Sequence, residues 1–163
     1  MYVKSSLSVE RLKEVLDYDS ISGTFTWKVD KGRNKCKGKK AGRKTNVGYI
    51  TIKIDYIEYT AHRLAWLYTY GKWPKYILDH INRNPLDNSI SNLREATISQ
   101  NGANSKLPIN NTSGYRGITK VGKSWQAQIS YNSKTIYLGR YRSKEEAYAA
   151  YSKKRQELFH EFA

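Results

Sequence analysis

Asp79-His80-Ile81-Asn82-Arg83-Asn84-Pro85-Leu86-Asp87-Asn88-Ser89-Ile90-Ser91-Asn92-Leu93-Arg94-Glu95-Ala96-Thr97, with Gln100-Asn101 just beyond, gathers a carboxylate, an imidazole and several carboxamides in one short segment. Those groups are the raw material of a one-metal phosphodiesterase site. Immediately before them, the apolar Tyr76-Ile77-Leu78 reads as a short strand that delivers Asp79 and His80 at its end. Asn82, Asn84 and Asn88 read as turn formers, because asparagine side chains bond locally to backbone and tolerate left-handed conformations. Ile90 to Arg94 reads as a second strand, and Thr97 to Asn104 as a helix. Strand, loop, strand and helix make a compact ββα unit over about residues 76–104.

Working upstream, Ala61 to Tyr70 carries Leu64, Trp66, Leu67 and Tyr68 in helical sequence and is stopped by Gly71 and Pro74, so a buried helix is expected there. His62 lies in it and is expected to be a packing histidine. Tyr49 to Ile54 and Ile57 to Thr60 read as a hairpin turning near Asp55-Tyr56, and Thr24 to Val29 as a strand. Ser8 caps a helix that runs through Leu16 and ends before Asp17-Tyr18-Asp19. Between Lys31 and Lys44 stand Lys31, Arg33, Lys35, Lys37, Lys39, Lys40, Arg43 and Lys44 with three glycines and no acid. Like charges so placed repel one another unless an anion lies among them, which predicts a mobile basic loop that contacts a phosphate backbone.

The whole chain is basic, with 29 Lys and Arg against 14 Asp and Glu in 163 residues, a formal charge of +15. Nucleic acid is the expected partner, since each phosphate neutralised releases condensed counterions. The apolar runs are far shorter than the roughly 18 residues of a spanning helix, so no membrane partner is expected. The amino terminus lacks the apolar stretch of a signal peptide, and an intracellular, cytoplasmic protein is expected. A lone cysteine, Cys36, and three histidines leave too few ligands for a conventional structural zinc site. Cys36 and His160 are expected to be bystanders.

Downstream, residues 106–113 sit in an Asn-, Ser- and Pro-containing stretch with no periodic apolar face and read as a linker between an amino-terminal unit of residues 1–105 and a carboxy-terminal unit of residues 114–163. Tyr115 to Thr119, Ser124 to Tyr131 and Lys134 to Leu138 are strand candidates for a meander with turns at Gly122-Lys123 and Asn132-Ser133. The second strand alternates Trp125, Ala127, Ile129 and Tyr131 with Gln126, Gln128 and Ser130. Ser143 and Glu146 are spaced as a capping box opening a helix to about Leu158, with Ala147, Ala150, Tyr151 and Leu158 toward the sheet. The fold class expected is therefore α+β, a ββα unit followed by a small three-stranded antiparallel sheet packed on one helix. Residues 106–163 hold 11 Lys or Arg against 4 acids, so the second unit is basic in its own right.

Asp79-His80, Asn92 and Asn101 resemble the HNH nuclease motif, in the variant of phage and group I intron homing endonucleases where asparagine stands in the final His position. Gly23-Thr24-Phe25-Thr26-Trp27, Ala61-His62-Arg63-Leu64-Ala65-Trp66 and Asn92-Leu93-Arg94-Glu95-Ala96-Thr97 are similar to the surrounding pattern of that family. The resemblance covers about the first 105 residues. It implies a ββα-metal fold, with Asp79 and Asn101 holding one divalent ion, His80 as general base and Asn92 orienting the His80 loop, and it leaves a supporting role for His62 open. The chemistry agrees. A neutral imidazole can take a proton from water at physiological pH. Carboxylate and carboxamide oxygens suit a hard ion such as Mg²⁺, or Mn²⁺, better than zinc. Arg83 and Arg94 are further phosphate-contact candidates.

Tyr115-Arg116-Gly117, Trp125-Gln126-Ala127-Gln128-Ile129, Tyr137-Leu138-Gly139-Arg140-Tyr141 and Glu145-Glu146-Ala147 resemble the Apetala-two or ethylene-response-factor DNA-binding domain, as found appended to phage and bacterial HNH endonucleases. That resemblance implies a sheet lying in the major groove, with Arg116, Gln128, Tyr137 and Arg140 on the contact face and Thr119, Ser130 and Thr135 beside them. Arginine or tryptophan stands at several of these positions in the plant domains, so base preferences do not transfer. Together the two resemblances imply a site-specific, metal-dependent endonuclease of the homing type, a phage protein acting on double-stranded DNA in the bacterial host's cytoplasm. One motif per chain implies a monomer that nicks. The other reading is a DNA-binding transcriptional regulator that uses the same two units without catalysis.

Overall fold

The computed structural model describes residues 7–162, and the chain divides into two compact units, Met1–Glu95 and Ala96–Ala163. In the first, helix α1 (Val9–Val15) begins where the Ser8 hydroxyl accepts the Arg11 amide, and it passes directly into strand β1 (Leu16–Asp19). Composition left Asp17-Tyr18-Asp19 as the break after a helix. The segment is a strand because Leu16 and Tyr18 alternate with Asp17 and Asp19, burying one pair and exposing the other. Strand β1 pairs antiparallel with β2 (Thr24–Trp27), Leu16 opposite Trp27 and Asp19 opposite Thr24.

The later part of the basic segment is bonded to β2. Gly38 donates to the Trp27 carbonyl, Trp27 to that of Lys39, and Ala41 to that of Phe25, so residues 38–41 lie along β2. Asp30 accepts the amides of Cys36 and Lys37 at 2.8 and 3.0 Å, which nucleates the turn ahead of them. The acid that organises the run thus stands one residue before it. Arg43 and Lys44 form strand β3, which pairs with β4 (Ile50–Ile54), and β4 pairs with β5 (Ile57–Thr60). The β4–β5 turn at Asp55-Tyr56 has φ of +46° and +65°, the two-residue hairpin geometry that glycine usually supplies. Two 2.9 Å bonds from the Arg11 guanidinium to the Asp55 carboxylate tie that turn to α1.

Helix α2 (Ala61–Tyr70) follows β5 directly and ends at Gly71 in the left-handed conformation. Its Leu64 packs with Leu12, Leu16, Phe25, Ile52 and Ile54, each no more than 2% exposed, to form the core of this unit. Complete burial of each such side chain contributes about 1.5–3 kcal/mol. Strands β6 (Ile77–His80) and β7 (Leu93–Ala96) form a separate two-stranded sheet. The expected second strand at Ile90 to Arg94 starts later, because Ile90–Asn92 is a 3-10 turn.

In the second unit, helix α3 (Ile98–Asn104) opens with a capping box between Thr97 and Gln100. Strands β8 (Ile118–Val121), β9 (Ser124–Tyr131) and β10 (Lys134–Tyr141) form a meander with β9 central, and helix α4 (Lys144–Phe159) opens at the Ser143–Glu146 capping box. Ala127 and Ile129 of the sheet meet Ala147, Tyr151 and Phe159 of α4 in the core. Ala96 and Ala103 belong to that core too, while Arg155 donates to the Ala103 carbonyl and Arg116 to that of Gly102. These contacts group α3 with the sheet, so the division by compactness precedes the boundary expected at 105. Among the described residues, no helix is long and apolar enough to cross a membrane.

The β1–β2 turn is fastened to the loop that follows β6. Ile90 donates to the Ser20 carbonyl at 3.1 Å, and the Tyr18 hydroxyl donates to that of Asn88 at 2.7 Å. Gly23, with φ +68°, lies where a Cβ would stand 2.2 Å from the Ser89 nitrogen and 2.3 Å from the Asn88 carbonyl carbon. Backbone on both sides cannot yield. Gly23→Ala is expected to destabilise the unit by about 2–4 kcal/mol, read as a lower urea midpoint at unchanged slope.

His62, in the first turn of α2, lies within 3.3 Å of the Thr60 hydroxyl through Nε2, while its Nδ1 is buried with no hydrogen-bond partner among the described residues. Burial, with smaller contributions from His80 and Arg63, pushes it down to about 4. The folded chain therefore holds it neutral, whereas the unfolded chain protonates it near the ordinary histidine value of about 6.5. Stability should fall as pH drops from about 6.5 to about 4, by on the order of 3 kcal/mol from this group alone. Urea titrations across that window are expected to show a shallower decline for His62→Phe than for the native sequence.

Candidate active site

Strand β6 ends in Asp79 and His80, which are 4% and 7% exposed. Burying two successive ionisable residues is costly unless each is partnered. Asp79 Oδ2 accepts from Arg94 Nε at 3.0 Å, and the arginine side chain is itself only 15% exposed. Arg94 stands on β7, the partner strand, so the two-stranded sheet itself brings the counter-charge across. The structure thus gives Arg94 a task other than the phosphate contact considered from sequence. Arg83 lies exposed on the loop with φ +59°, its amide donating to the His80 carbonyl.

His80 Nε2 lies 3.3 Å from Asn88 Oδ1. Its ring also meets His62 edge to face, with centroids 5.2 Å apart, and Tyr49 at 6.2 Å. Tyr49 in turn lies 5.4 Å from His62. His62 packs against His80, but with Nδ1 unpartnered among the described residues it is not a fully satisfied packing histidine.

The loop from Ile81 to Asn92 is held by asparagine and aspartate side chains together with a few backbone bonds. Asn92, 8% exposed, uses its whole carboxamide: Nδ2 donates to Asn82 Oδ1 at 3.0 Å and to the Asp87 carbonyl at 2.8 Å, and Oδ1 accepts the Asn82 amide at 2.9 Å. Its own carbonyl accepts from the Ile81 amide. The expected turn-forming roles of Asn82 and Asn84 hold, because they accept the amides of Asn84 and Leu86. Asp87 accepts from Asn82 Nδ2 and from the Ser89 hydroxyl and amide, and the Ser89 hydroxyl bond above all holds it below the ordinary carboxylate range. Glu95 closes the other side by accepting the amides of Lys75 and Tyr76.

Asn88 departs from the turn-former reading, being 1% exposed and facing His80. No compositional signal separates it from Asn82 and Asn84, since all three stand in the same polar run. Asn101, assigned to the metal by resemblance, is exposed on α3 in the second unit.

Asp79 and Asn101 both offer oxygen, which fits a hard divalent ion. Among the described residues, no group of three or more His, Cys, Asp and Glu side chains is placed to hold a metal. Few protein oxygens, completed by phosphate and water, are enough for such an ion in phosphoryl-transfer sites.

All eight side chains of the basic segment are exposed, yet two have internal engagements. Lys31 Nζ donates to the Lys53 carbonyl and lies 4.3 Å above the Trp27 ring, and Arg43 pairs with Glu58 at 2.8 Å. Lys35 lies 3.6 Å from Asp30 at the surface, a weak pairing. Arg33, Lys37, Lys39, Lys40 and Lys44 complete a solvent-facing cationic surface.

In the second unit, Gln128 stands opposite Tyr137, and Gln126 opposite Arg140, on the exposed face of the sheet. A bulge between Tyr137 and Gly139 makes this possible. Without the extra residue Arg140 would fall on the core side with Leu138; with it, Tyr137 and Arg140 share the outer face while Ile136, Leu138 and Tyr141 pack inward. Arg116 is placed differently. Its guanidinium donates to the carbonyls of Gly102, Ser105 and Lys106 and to the Ser105 hydroxyl, capping the end of α3.

Comparison with known proteins agrees with the motif. The HNH endonuclease family model matches residues 59–103, from the end of β5 to the end of α3. Protein 3.8 of Escherichia phage T7 is 35% identical over 107 residues, covering 63% of this chain and 86% of that protein. A protein of Acanthamoeba polyphaga mimivirus, named as an uncharacterized HNH endonuclease, is 33% identical over 115 residues, covering 69% of this chain and 59% of that protein. No solved structure matches the chain. With the Asp79-His80 pair at its strand end, the Asn92-braced loop behind it and these relatives, the chain belongs to the HNH endonuclease family and is a DNA endonuclease.

Proposed function

We propose that the protein is a site-specific endonuclease of the homing type that nicks duplex DNA as a monomer, with cleavage by the segment of residues 76–104 and placement by the carboxy-terminal sheet. The observation that carries the chemistry is the burial of Asp79 and His80 together at the end of β6, each with a dedicated partner. In this reading His80 takes a proton from the attacking water as its oxygen bonds to phosphorus and the bond to the leaving oxygen breaks. Asn92 keeps the loop after His80 in one conformation through its three side-chain bonds. Asp79 and Asn101 would hold Mg²⁺, or Mn²⁺, and the bound ion would supply positive charge to the phosphate and the leaving oxygen. Arg94 keeps the Asp79 carboxylate oriented and balanced. A single Asp79-His80 centre per chain supports nicking of one strand.

Affinity would come from Arg33, Lys35, Lys37, Lys39, Lys40 and Lys44 along the backbone, with Lys31 and Arg43 contributing after exchange of their internal partners. Discrimination would come from Gln128, Tyr137 and Arg140 on the sheet, as the resemblance to the Apetala-two domain implies. Ser130, Thr135 and Thr119 flank them, Ser130 and Thr135 as a cross-strand pair. Arg116 reaches DNA only by leaving the α3 carbonyls, so its first role is structural.

Supercoiled plasmid carrying the target, incubated with protein and Mg²⁺, is expected to become open circle without a linear product. His80→Ala is expected to lower the rate by about 10²–10⁴-fold, and full retention would remove His80 from its role. In salt titrations of DNA binding, Lys39→Ala is expected to weaken affinity and reduce the slope of log K against log salt by about one, whereas Arg140→Ala is expected to relax discrimination between target and non-target sequence. Arg116→Ala is instead expected to lower the melting temperature of the second unit with the salt slope unchanged.

A further inference from the structure

Asn88 is engaged through its side chain. It is 1% exposed, and a carboxamide so buried is costly unless both its ends are bonded. Asn88 Nδ2 faces the Leu86 carbonyl at 3.3 Å, and Oδ1 faces His80 Nε2 at 3.3 Å. A carbonyl only accepts, which assigns the amide nitrogen to the Leu86 side and the amide oxygen to the ring. An amide oxygen only accepts as well, so the imidazole carries hydrogen on Nε2, and the lone pair of its neutral form lies on Nδ1. We propose that Asn88 is a positioning residue for strand cleavage, fixing the tautomer and the rotation of the His80 ring so that Nδ1 is the atom that receives the proton of the attacking water.

Two further sets of contacts make this more than one loose hydrogen bond. Asn88 is itself clamped from outside the motif: the Tyr18 hydroxyl holds its carbonyl at 2.7 Å, and Gly23 lets the β1–β2 turn lie directly on the Asn88-Ser89 backbone. Tyr18 is braced by Phe25, ring centroids 4.6 Å apart. The acceptor therefore stands on a rigid support that begins seventy residues earlier in the chain. His62 meanwhile meets the His80 ring edge to face. His62 constrains the ring's plane, and Asn88 determines which nitrogen is turned inward. A base displaced by about 1 Å can lose about 10²-fold in rate, which is the scale of effect such a residue controls.

The inference rests on His80 being the base, and the test separates the two. Nitrogen-15 spectra of the histidine side chains, recorded on the native protein without metal or DNA, are expected to show His80 as the Nε2–H tautomer and to show mixed tautomers in Asn88→Leu, a near-isosteric change that removes the acceptor. Single-turnover cleavage by Asn88→Leu is expected to fall about 10²-fold with DNA affinity unchanged. Asn88→Asp, which keeps an acceptor toward the ring, is expected to recover most of the rate. An inactive His80→Ala beside a fully active Asn88→Leu would overturn the role of Asn88 and leave the base in place; an active His80→Ala would overturn the base itself. Should Asn88→Leu fail to fold, an Nδ1–H signal from His80 in the native protein, or an Asn88→Asp variant folded yet as slow as His80→Ala, would overturn the proposal.

Discussion

A buried pair of ionisable side chains at the end of a two-stranded sheet imposes the constraint around which the amino-terminal unit is organised. Asp79 and His80 cannot sit at 4% and 7% exposure unless their polar atoms are engaged, and water is largely kept from them. The response is a loop in which side chains do the work that a ladder would do elsewhere. Asn82, Asn84, Asp87 and Asn92 bond one another and the local backbone, and Arg94 returns on the partner strand to neutralise Asp79. Such a network is rigid only when it is complete, because an unpartnered member costs more than a made bond contributes. The β1–β2 hairpin completes it from outside through Tyr18, Ser20 and Gly23.

In the proposed reading, chemistry and affinity fall to different residues of the amino-terminal unit: Asp79 and His80 are buried and hydrogen-bonded, while the lysines and arginines of residues 31–44 are exposed. The basic segment is bonded in spite of its charge, residues 38–41 along β2 and the amides of Cys36 and Lys37 to Asp30. In the proposed reading, a DNA backbone meeting lysines held in this way would cost less ordering entropy than it would with a free tail.

Several elements were legible from residues alone for local reasons. Helix α2 shows its apolar spacing and a glycine stop, α4 shows Ser143 and Glu146 at capping-box distance, and β9 alternates strictly. The resemblance that singles out Asp79, His80, Asn92 and Asn101 could be seen from residues alone because it rests on residue types at short spacings. Strand β1 was hidden behind its two aspartates, whose outward side alternation reveals only once Leu16 and Tyr18 have a core to face. Arg116 and Arg94 look like any basic residues of a DNA-binding chain, yet each is engaged by carbonyls or a carboxylate brought to it by folding.

The sequence by itself determined the chemistry available, the family, the sign of the partner's charge and the location of most helices and strands, since these depend on residue types and on spacings of a few residues. Only the tertiary structure decided which polar residues of Asp79-His80 and its loop act on one another. Asn88 and Asn84 are alike in composition and setting, but one faces solvent and the other faces His80. The physical reason is that orientation of a buried imidazole is a long-range property: it is set by Tyr18, Gly23 and His62, residues that reach the site through packing and not through proximity along the chain.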